Sequence, residues 1–195
     1  GKIIFTSSGT ESINLALLGV ARATNKRHII TTKIEHPAVL ETCAYLKKHG
    51  FKITYLDVDE LGQIDLEELE KAVKKKTALI SIHYANSEIG VIQNIREISR
   101  RKQNALLHVD ACQASGLLSL DVKKLGIDLL SLNAGKVYGP KGVGLLYAGY
   151  NVDLKPVIYG GSQELGLRAG TENVPSIVGF AKALELAEEE REDTS

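Results

Sequence analysis

The segment Ala78-Leu79-Ile80-Ser81-Ile82-His83-Tyr84 is the clearest strand signal in the sequence. It is short, mostly apolar and followed by polar residues, which is typical of a strand buried on both faces of a sheet. Six other segments have strand length and an apolar or β-branched composition: Lys2–Thr6, His28–Lys33, Lys52–Leu56, Ala105–Val109, Leu129–Leu132 and Val143–Ala148. We therefore predict seven strands, with residues 79–82 in a central one.

Segments with helical spacing alternate with these strands, namely Ser12–Ala23, Pro37–Lys48, Leu66–Lys76 and Ser176–Asp193. In the third, Leu66, Leu69 and Val73 share a face, and three lysines are expected in its last turn, where the helix dipole favours cations. Alternation with short connections predicts right-handed βαβ units. The predicted fold class is α/β, a three-layer sandwich around a mainly parallel, doubly wound, seven-stranded sheet.

The composition is that of a globular domain and argues against several classes of protein. The 24 Lys and Arg balance the 24 Asp and Glu, whereas nucleic-acid-binding domains and polybasic membrane patches are usually basic. No apolar run approaches the roughly 18 residues of a transmembrane helix, and no signal-peptide pattern opens the chain. Cys43 and Cys112 do not make a disulfide framework, which favours a reducing, cytoplasmic setting.

Both ends of the chain lead us to expect a piece of a longer protein. The 195 residues include no methionine, and the chain opens with Gly1, one residue before a predicted strand. It stops within a predicted helix. We expect residues 1–195 to be one domain that is truncated at both ends.

Polar residues gather where the predicted strands end. In open parallel sheets, ligands bind outside the carboxyl ends of the strands. The segments that follow five of the strands are Ser7–Ser12, Glu35–Pro37, Asn86–Gly90, Asp110–Gln113 and Asn133–Lys136. They bring the start of a helix, a His, an Asn, an Asp with a Gln, and a Lys to one edge of the sheet.

These groups match the chemical needs of pyridoxal 5'-phosphate (PLP). A phosphate binds well at a helix N-terminus rich in hydroxyls, which Ser8–Ser12 offers. The pyridinium nitrogen needs a carboxylate and the aldehyde needs an amine, and Asp110 and Lys136 are the candidates. His36 could stack on the ring, and Gln113 could donate a hydrogen bond to the phenolic oxygen.

Each motif alone also has a structural explanation. Ser8–Ser12 could be ordinary helix capping, His36 a loop residue, Asp110 a cap and Lys136 a surface lysine. The segment Gly139–Gly144 resembles a phosphate loop, but it precedes a strand and lacks the Gly-Lys-Ser/Thr ending, so we interpret it as a turn. The joint occurrence of the other motifs favours the cofactor site.

Six stretches carry a family resemblance: Phe5–Ser12, Glu35–Leu40, Asn86–Gly90, His108–Gln113, Lys136–Gly142 and Arg168–Asn173. In this order, and over nearly all of the chain, they resemble the large domain of class V aminotransferase-fold enzymes of PLP-dependent fold type I. The closest resemblance is to NifS/IscS-type cysteine desulfurases. The resemblance implies a PLP-transferase large domain, without the small C-terminal domain.

The resemblance also implies roles for individual residues around the ring. Lys136 would bind the cofactor aldehyde and later move the substrate's α-proton. Asp110 would pair with the pyridinium nitrogen, Gln113 would contact the phenolic oxygen, and His36 would stack on the ring and take part in proton transfer. Lys141 competes for the lysine role, but it sits inside a Gly-Pro turn, whereas Lys136 directly follows a strand.

Other roles concern the phosphate and the substrate. Gly9 and Thr10 would hold the phosphate, with Asn133 where the family often has Ser. Asn86 would lie beside the ring and the substrate. Thr171 would reach the phosphate in the neighbouring subunit, because such enzymes are homodimers with shared sites.

The sequence departs from the family pattern in two ways. Gly135 stands where many relatives have a His or Ser, which removes a side chain that contacts the phosphate or the ring. The cysteine that forms a persulfide, and the arginine that binds the substrate carboxylate, lie in the C-terminal part of longer relatives. Cys43 is expected in the core, and Cys112 near the cofactor but not in the nucleophile's place.

The leading hypothesis is therefore a PLP-dependent cysteine desulfurase, a sulfur transferase without a metal ion. The parent enzyme would convert L-cysteine to L-alanine and pass sulfur to its own cysteine as a persulfide. Sulfur-acceptor proteins would then take it for iron–sulfur cluster assembly or thiolated cofactors. We expect the chain alone to be inactive. The alternatives are a selenocysteine lyase or another class V enzyme, and a non-catalytic folded module.

Overall fold

The structure is a computed structural model that describes residues 1–193. The strands are β1 Lys2–Thr6, β2 His28–Thr32, β3 Lys52–Leu56, β4 Thr77–His83, β5 Ala85–Asn86, β6 Val91–Ile92, β7 Leu106–Asp110, β8 Leu129–Asn133 and β9 Gly144–Ala148. The α-helices are α1 Gly9–Ala23, α2 Pro37–Lys48, α3 Leu66–Ala72, α4 Ile95–Arg101, α5 Val122–Leu125 and α6 Val174–Asp193. Short 3-10 turns cover Ala134–Lys136 and Glu164–Gly166.

Seven of the strands form one sheet in the order β1-β9-β8-β7-β4-β2-β3. β9 runs antiparallel to both of its neighbours, and the pairs from β8 to β3 are parallel. The predicted mainly parallel, seven-stranded sheet is confirmed, and β4 is central as predicted. β5 and β6 form a separate two-stranded hairpin that the sequence pattern did not predict.

Two hydrophobic cores lie on opposite faces of the sheet. On one face, Leu79 and Leu129 pack with residues of α1 and α2. On the other, Ile80 and Ile82 pack with residues of α3, α4 and α6. Because successive side chains of a strand point to opposite faces, β4 is buried at all seven positions. The predicted three-layer sandwich is therefore confirmed.

The helices differ from the prediction at their ends. α1 begins at Gly9, three residues earlier than predicted, because the Ser8 hydroxyl caps it by accepting the Glu11 N–H at 3.2 Å. The prediction that the third helix reaches Lys76 is wrong. It ends at Ala72, because Val73 takes an extended conformation and the Thr77 hydroxyl accepts the Lys74 N–H at 2.8 Å.

The three lysines therefore lie in a turn beyond α3 and not in its last turn. The short helices α4 and α5 were not predicted, because a helix of seven or four residues offers too few turns for a clear apolar period. No helix in the described part of the chain is both long and apolar enough to cross a membrane.

Candidate functional site

The sheet face that α1 and α2 cover changes from apolar to polar along the strands. Leu79, Leu106 and Leu129 lie toward the strand starts. Residues two and four positions further along share their face, and these are Ser81, His83, His108, Asp110, Ser131 and Asn133. Parallel register places them side by side, with His83 opposite Asp110 and Asp110 opposite Ser131. The carboxyl ends of three adjacent strands thus form one polar layer.

His108 joins the strands of this layer. Its Nδ1 lies 2.8 Å from the Ser81 hydroxyl and its Nε2 lies 2.9 Å from the Ser131 hydroxyl. Burial lowers the pKa of His108 to about 4, against the opposing effect of the nearby Asp110 charge. The imidazole is therefore neutral near pH 7, and it supports the site without carrying charge.

A cavity of about 410 Å³ lies above this polar layer. It is lined by eight of the nine predicted site residues: Gly9, Thr10, His36, Asn86, Asp110, Gln113, Asn133 and Lys136. The ninth, Thr171, is exposed and lies outside the cavity. Glu35, His83 and Cys112 also line it. The structure therefore brings eight of the predicted site residues together around one cavity.

The start of α1 forms one wall of the cavity. A Cβ atom at Gly9 would lie 2.6 Å from Cys112 Sγ and 3.3 Å from Asn133 Cβ, so only glycine fits there. The close approach brings the first turn of α1 against the end of β8. The backbone N–H groups of a first turn have no partners within the helix, and they favour an anion.

The carboxylate of Glu11 is the one acidic group in that first turn. It accepts hydrogen bonds from Arg168 Nε at 2.8 Å and from the Ser7 N–H at 2.8 Å. Burial alone would raise the pKa of Glu11, but the bonds from Arg168 and Ser7 outweigh it and lower the pKa. Arg168 thus neutralises the negative charge next to the helix start, which would otherwise repel a phosphate.

His36 is the N-cap residue of α2. Its Nδ1 accepts the Ala38 N–H at 3.0 Å, and Pro37 occupies the first turn. The bond orients the imidazole, while the ring itself stays exposed on the cavity wall. The capping interpretation and the functional one are therefore compatible at this residue.

Asp110 is the last residue of β7 and is buried, with 7% of its surface exposed. Its Oδ1 accepts the Cys112 N–H at 3.0 Å, which fixes the carboxylate. Burial, together with the Asp110 charge, raises the pKa of the Cys112 thiol well above its ordinary value. Burial raises the pKa of Cys43 to about 12. Cys43 lies in the core as predicted, and neither thiol is activated.

Lys136 ends a 3-10 turn that directly follows β8. Asn133, the last residue of β8, caps this turn through its Oδ1, which accepts the Gly135 N–H at 3.2 Å. Lys136 is exposed and forms part of the cavity lining, whereas Lys141 lies in the turn before β9. The geometry therefore favours Lys136 over Lys141 as the reactive amine.

Asn86 links two segments of the cavity wall. Its Nδ2 donates to the Ile34 carbonyl at 2.9 Å, and its Oδ1 accepts the Glu88 N–H at 2.9 Å. A bond between Glu35 and His83, which was not predicted from the sequence, forms the other link. The available signal was His83, a titratable residue at the end of a strand with mostly apolar residues.

Comparison with known proteins agrees with this geometry. The aminotransferase class-V family model matches residues 1–194. A putative cysteine desulfurase, IscS 1 of Bacillus subtilis, is 51% identical over 98% of this chain and 52% of its own length. The cysteine desulfurase IscS of Dictyoglomus turgidum is 54% identical over 95% of this chain and 48% of its own length. The chain thus spans about half the length of these relatives.

Solved structures give the same result. A NifS-like protein superposes with a TM-score of 0.95 at 49% identity, over 98% of this chain and 54% of its own. The structure of SspA in complex with cysteine matches with a TM-score of 0.89 at 44% identity, over 94% of this chain and 55% of its own. The chain therefore belongs to the aminotransferase class-V family, whose members of the cysteine desulfurase type are PLP-dependent.

Proposed function

We propose that this chain is the PLP-binding large domain of a cysteine desulfurase. The observation that carries the proposal is the convergence of Lys136, Asp110, His36 and the start of α1 on one cavity. The names of the most similar relatives support the same reaction class. The parent enzyme would act on L-cysteine, release L-alanine and transfer the sulfur.

The cavity fits PLP in size and in the chemistry of its groups. Its volume of about 410 Å³ lies within the usual range of small-molecule sites, about 300–1,000 Å³. An amine, a buried carboxylate, an imidazole and a helix start stand at its walls. When bound, PLP supplies an electron sink that weakens the bonds to the Cα atom of an amino acid.

Each residue around the proposed ring position would have its own role. The Lys136 amine would bind the cofactor and move a proton at the substrate Cα. The Asp110 carboxylate, which the Cys112 N–H holds in place, would accept a hydrogen bond from the ring nitrogen. His36, oriented through its Nδ1, would pack on the ring face and take part in proton transfer. Gln113 would donate to the phenolic oxygen.

The phosphate would sit at the start of α1. Gly9 and Thr10 supply backbone N–H groups and a hydroxyl, and Asn133 stands beside them. The ion pair of Arg168 with Glu11 removes the nearby negative charge. Asn86 also lines the cavity, and it would border the ring and the substrate.

The sulfur step requires a thiolate that this chain does not supply. In that step the C–S bond of L-cysteine breaks, the sulfur joins an enzyme thiolate as a persulfide, and L-alanine leaves. Cys43 and Cys112 have raised pKa values and are poor nucleophiles. We place the accepting cysteine and the carboxylate-binding arginine in the other half of the parent, and expect this chain alone to show no turnover.

The assembly and location form part of the same proposal. A homodimer is supported by Thr171, which is exposed outside its own cavity, and by nearby exposed Leu165, Val174 and Val178. Sulfur-acceptor proteins of iron–sulfur cluster assembly would be partners of the full-length parent. A cytoplasmic location is supported by Cys43 and Cys112, which are both free thiols.

PLP titration of the purified chain tests the proposal. We expect visible absorbance from bound PLP, and borohydride should fix the cofactor to Lys136, as located by peptide mass analysis. Lys136→Ala should abolish fixation, whereas the matched control Lys141→Ala should retain it. Fixation that survives Lys136→Ala would refute the assignment of the site. Appreciable L-alanine formation by the chain alone would refute the proposal that the other half of the parent supplies the sulfur-accepting cysteine.

A further inference from the structure

A buried pair, Glu35 and His83, lies beneath the cavity and has no role in the function proposed above. His83 Nδ1 is 3.0 Å from Glu35 Oε1, and the Thr32 hydroxyl donates to the same oxygen at 2.7 Å. The side chain of Glu35 is 0% exposed and that of His83 is 5% exposed. A carboxylate oxygen can only accept a hydrogen bond, so the His83 Nδ1–H donates to Glu35 Oε1.

Stability alone does not account for this pair. Neither Glu35 Oε2 nor His83 Nε2 has a hydrogen-bond partner among residues 1–193, although both atoms are buried. A buried polar atom without a partner destabilises the fold, and well-packed apolar residues often serve better than a buried charged pair. Two such atoms at the wall of one cavity need an explanation other than folding.

The position of the pair suggests that explanation. Glu35 directly precedes His36, the candidate for stacking on the ring. His83 is the last residue of β4 and the register partner of Asp110 on β7. The pair therefore joins the loop that carries His36 to the strand edge that carries Asp110. The Asn86 bond to the Ile34 carbonyl attaches the same loop a second time.

We propose that Glu35 and His83 are positioning residues, which clamp the loop before α2 and thereby fix His36 relative to Asp110. Both His36 and Asp110 would contact the PLP ring, so the clamp would set the distance between two of the ring's contacts. This inference rests on the proposed PLP site for its functional part. The clamp itself is a property of the cofactor-free chain.

The test uses two readouts on the same variants. Amide hydrogen exchange of residues 33–38 in the cofactor-free chain reports on the clamp. The visible circular dichroism per bound PLP, with the PLP Kd, reports on the ring site. The double variant Glu35→Met, His83→Leu replaces both residues with apolar side chains and so removes the clamp bond. We expect exchange at least about tenfold faster and a Kd raised about tenfold, with an unfolding midpoint no lower than that of the parent chain.

A matched pair of single variants keeps the test informative if the double variant does not fold. His83→Asn places an amide N–H near the position of Nδ1, whereas His83→Gln places it near that of Nε2. If the clamp bond runs through Nδ1, His83→Asn should keep hydrogen exchange and PLP Kd near those of the parent chain. His83→Gln should instead show faster exchange and a raised Kd. As a control, His28→Asn changes a buried histidine held by Thr77 and Thr54 outside the cavity, and should leave both readouts unchanged.

Three results would overturn the inference. One is parental exchange and circular dichroism in the double variant, and another is a loss in His83→Asn as large as that in His83→Gln. The third is a change in hydrogen exchange and PLP binding in His28→Asn that is as large as the change in the double variant. If the unmodified chain binds no PLP, the proposed function fails, while hydrogen exchange still decides whether the clamp exists.

Discussion

Gly9→Ala should displace the first turn of α1 because no side chain fits at this position. The added Cβ would lie 2.6 Å from Cys112 Sγ and 3.3 Å from Asn133 Cβ, well inside normal contact distance. The sulfur cannot easily withdraw, because Cys112 follows Asp110 at the polar layer and its thiol contacts the Ser131 carbonyl at 3.7 Å. Overpacking of this kind costs about 1–3 kcal/mol of unfolding free energy.

Urea unfolding of a double-mutant cycle measures this effect. Cys112→Ala removes the sulfur. In that background, Gly9→Ala should lower the free energy of unfolding by at least about 1 kcal/mol less than it does in the parent chain. Gly135→Ala is the matched control, because its Cβ would meet only Asn133 Oδ1, at an ordinary 3.7 Å. The predicted overlap would be contradicted if Gly9→Ala lowered the free energy of unfolding no more than Gly135→Ala, or if the Cys112→Ala background restored none of it.

Three further predictions concern charge and thiol chemistry. Arg168→Ala should lower the free energy of unfolding at pH 7 by about 1 kcal/mol. Because the folded pKa of Glu11 is lowered, this contribution is fully present above the ordinary value of 4.5, and the difference between the two chains should disappear as pH falls through the lowered pKa of the folded chain. The pKa of His108 is lowered from 6.5 to about 4 in the folded chain, so the unfolded chain binds a proton that the native one does not as pH drops through that interval. The free energy of unfolding should therefore fall by about 3 kcal/mol over this range. A histidine NMR titration combined with urea melts would check this. Cys43 and Cys112 should both resist a thiol reagent in the folded chain and react on unfolding, so rapid labelling of either in the native chain would contradict their raised pKa values.

Much of the fold could be predicted from the sequence because its signals are local. A strand such as β4, buried on both faces, is a continuous apolar run, and alternation with helices makes the sheet parallel. Parallel strands end at the same edge, so the residues after five of the strands were expected to meet, and the eight predicted site residues in those segments line one cavity. The end of α3 was missed because a turn bond at Thr77, and not helical period, decides it.

The remaining features depend on contacts that no local pattern encodes. The sheet order places β1 and β2 far apart and puts β4 beside β7, which is what brings His83 next to Asp110. Arg168 reaches Glu11 across 157 positions of sequence, and Cys112 meets Gly9 where α1 crosses the end of β8.

The α/β class, the polar strand ends and the candidate site residues could be predicted from the amino-acid sequence, because they follow from hydrophobic period and from what each side chain can do. Which of these groups touch depends on tertiary packing. The order of the strands and the packing of α1 and α2 over the polar layer set distances of a few ångströms between residues that are remote in the chain. Tertiary packing produces the bond between Glu35 and His83, the ion pair between Arg168 and Glu11, and the close approach at Gly9.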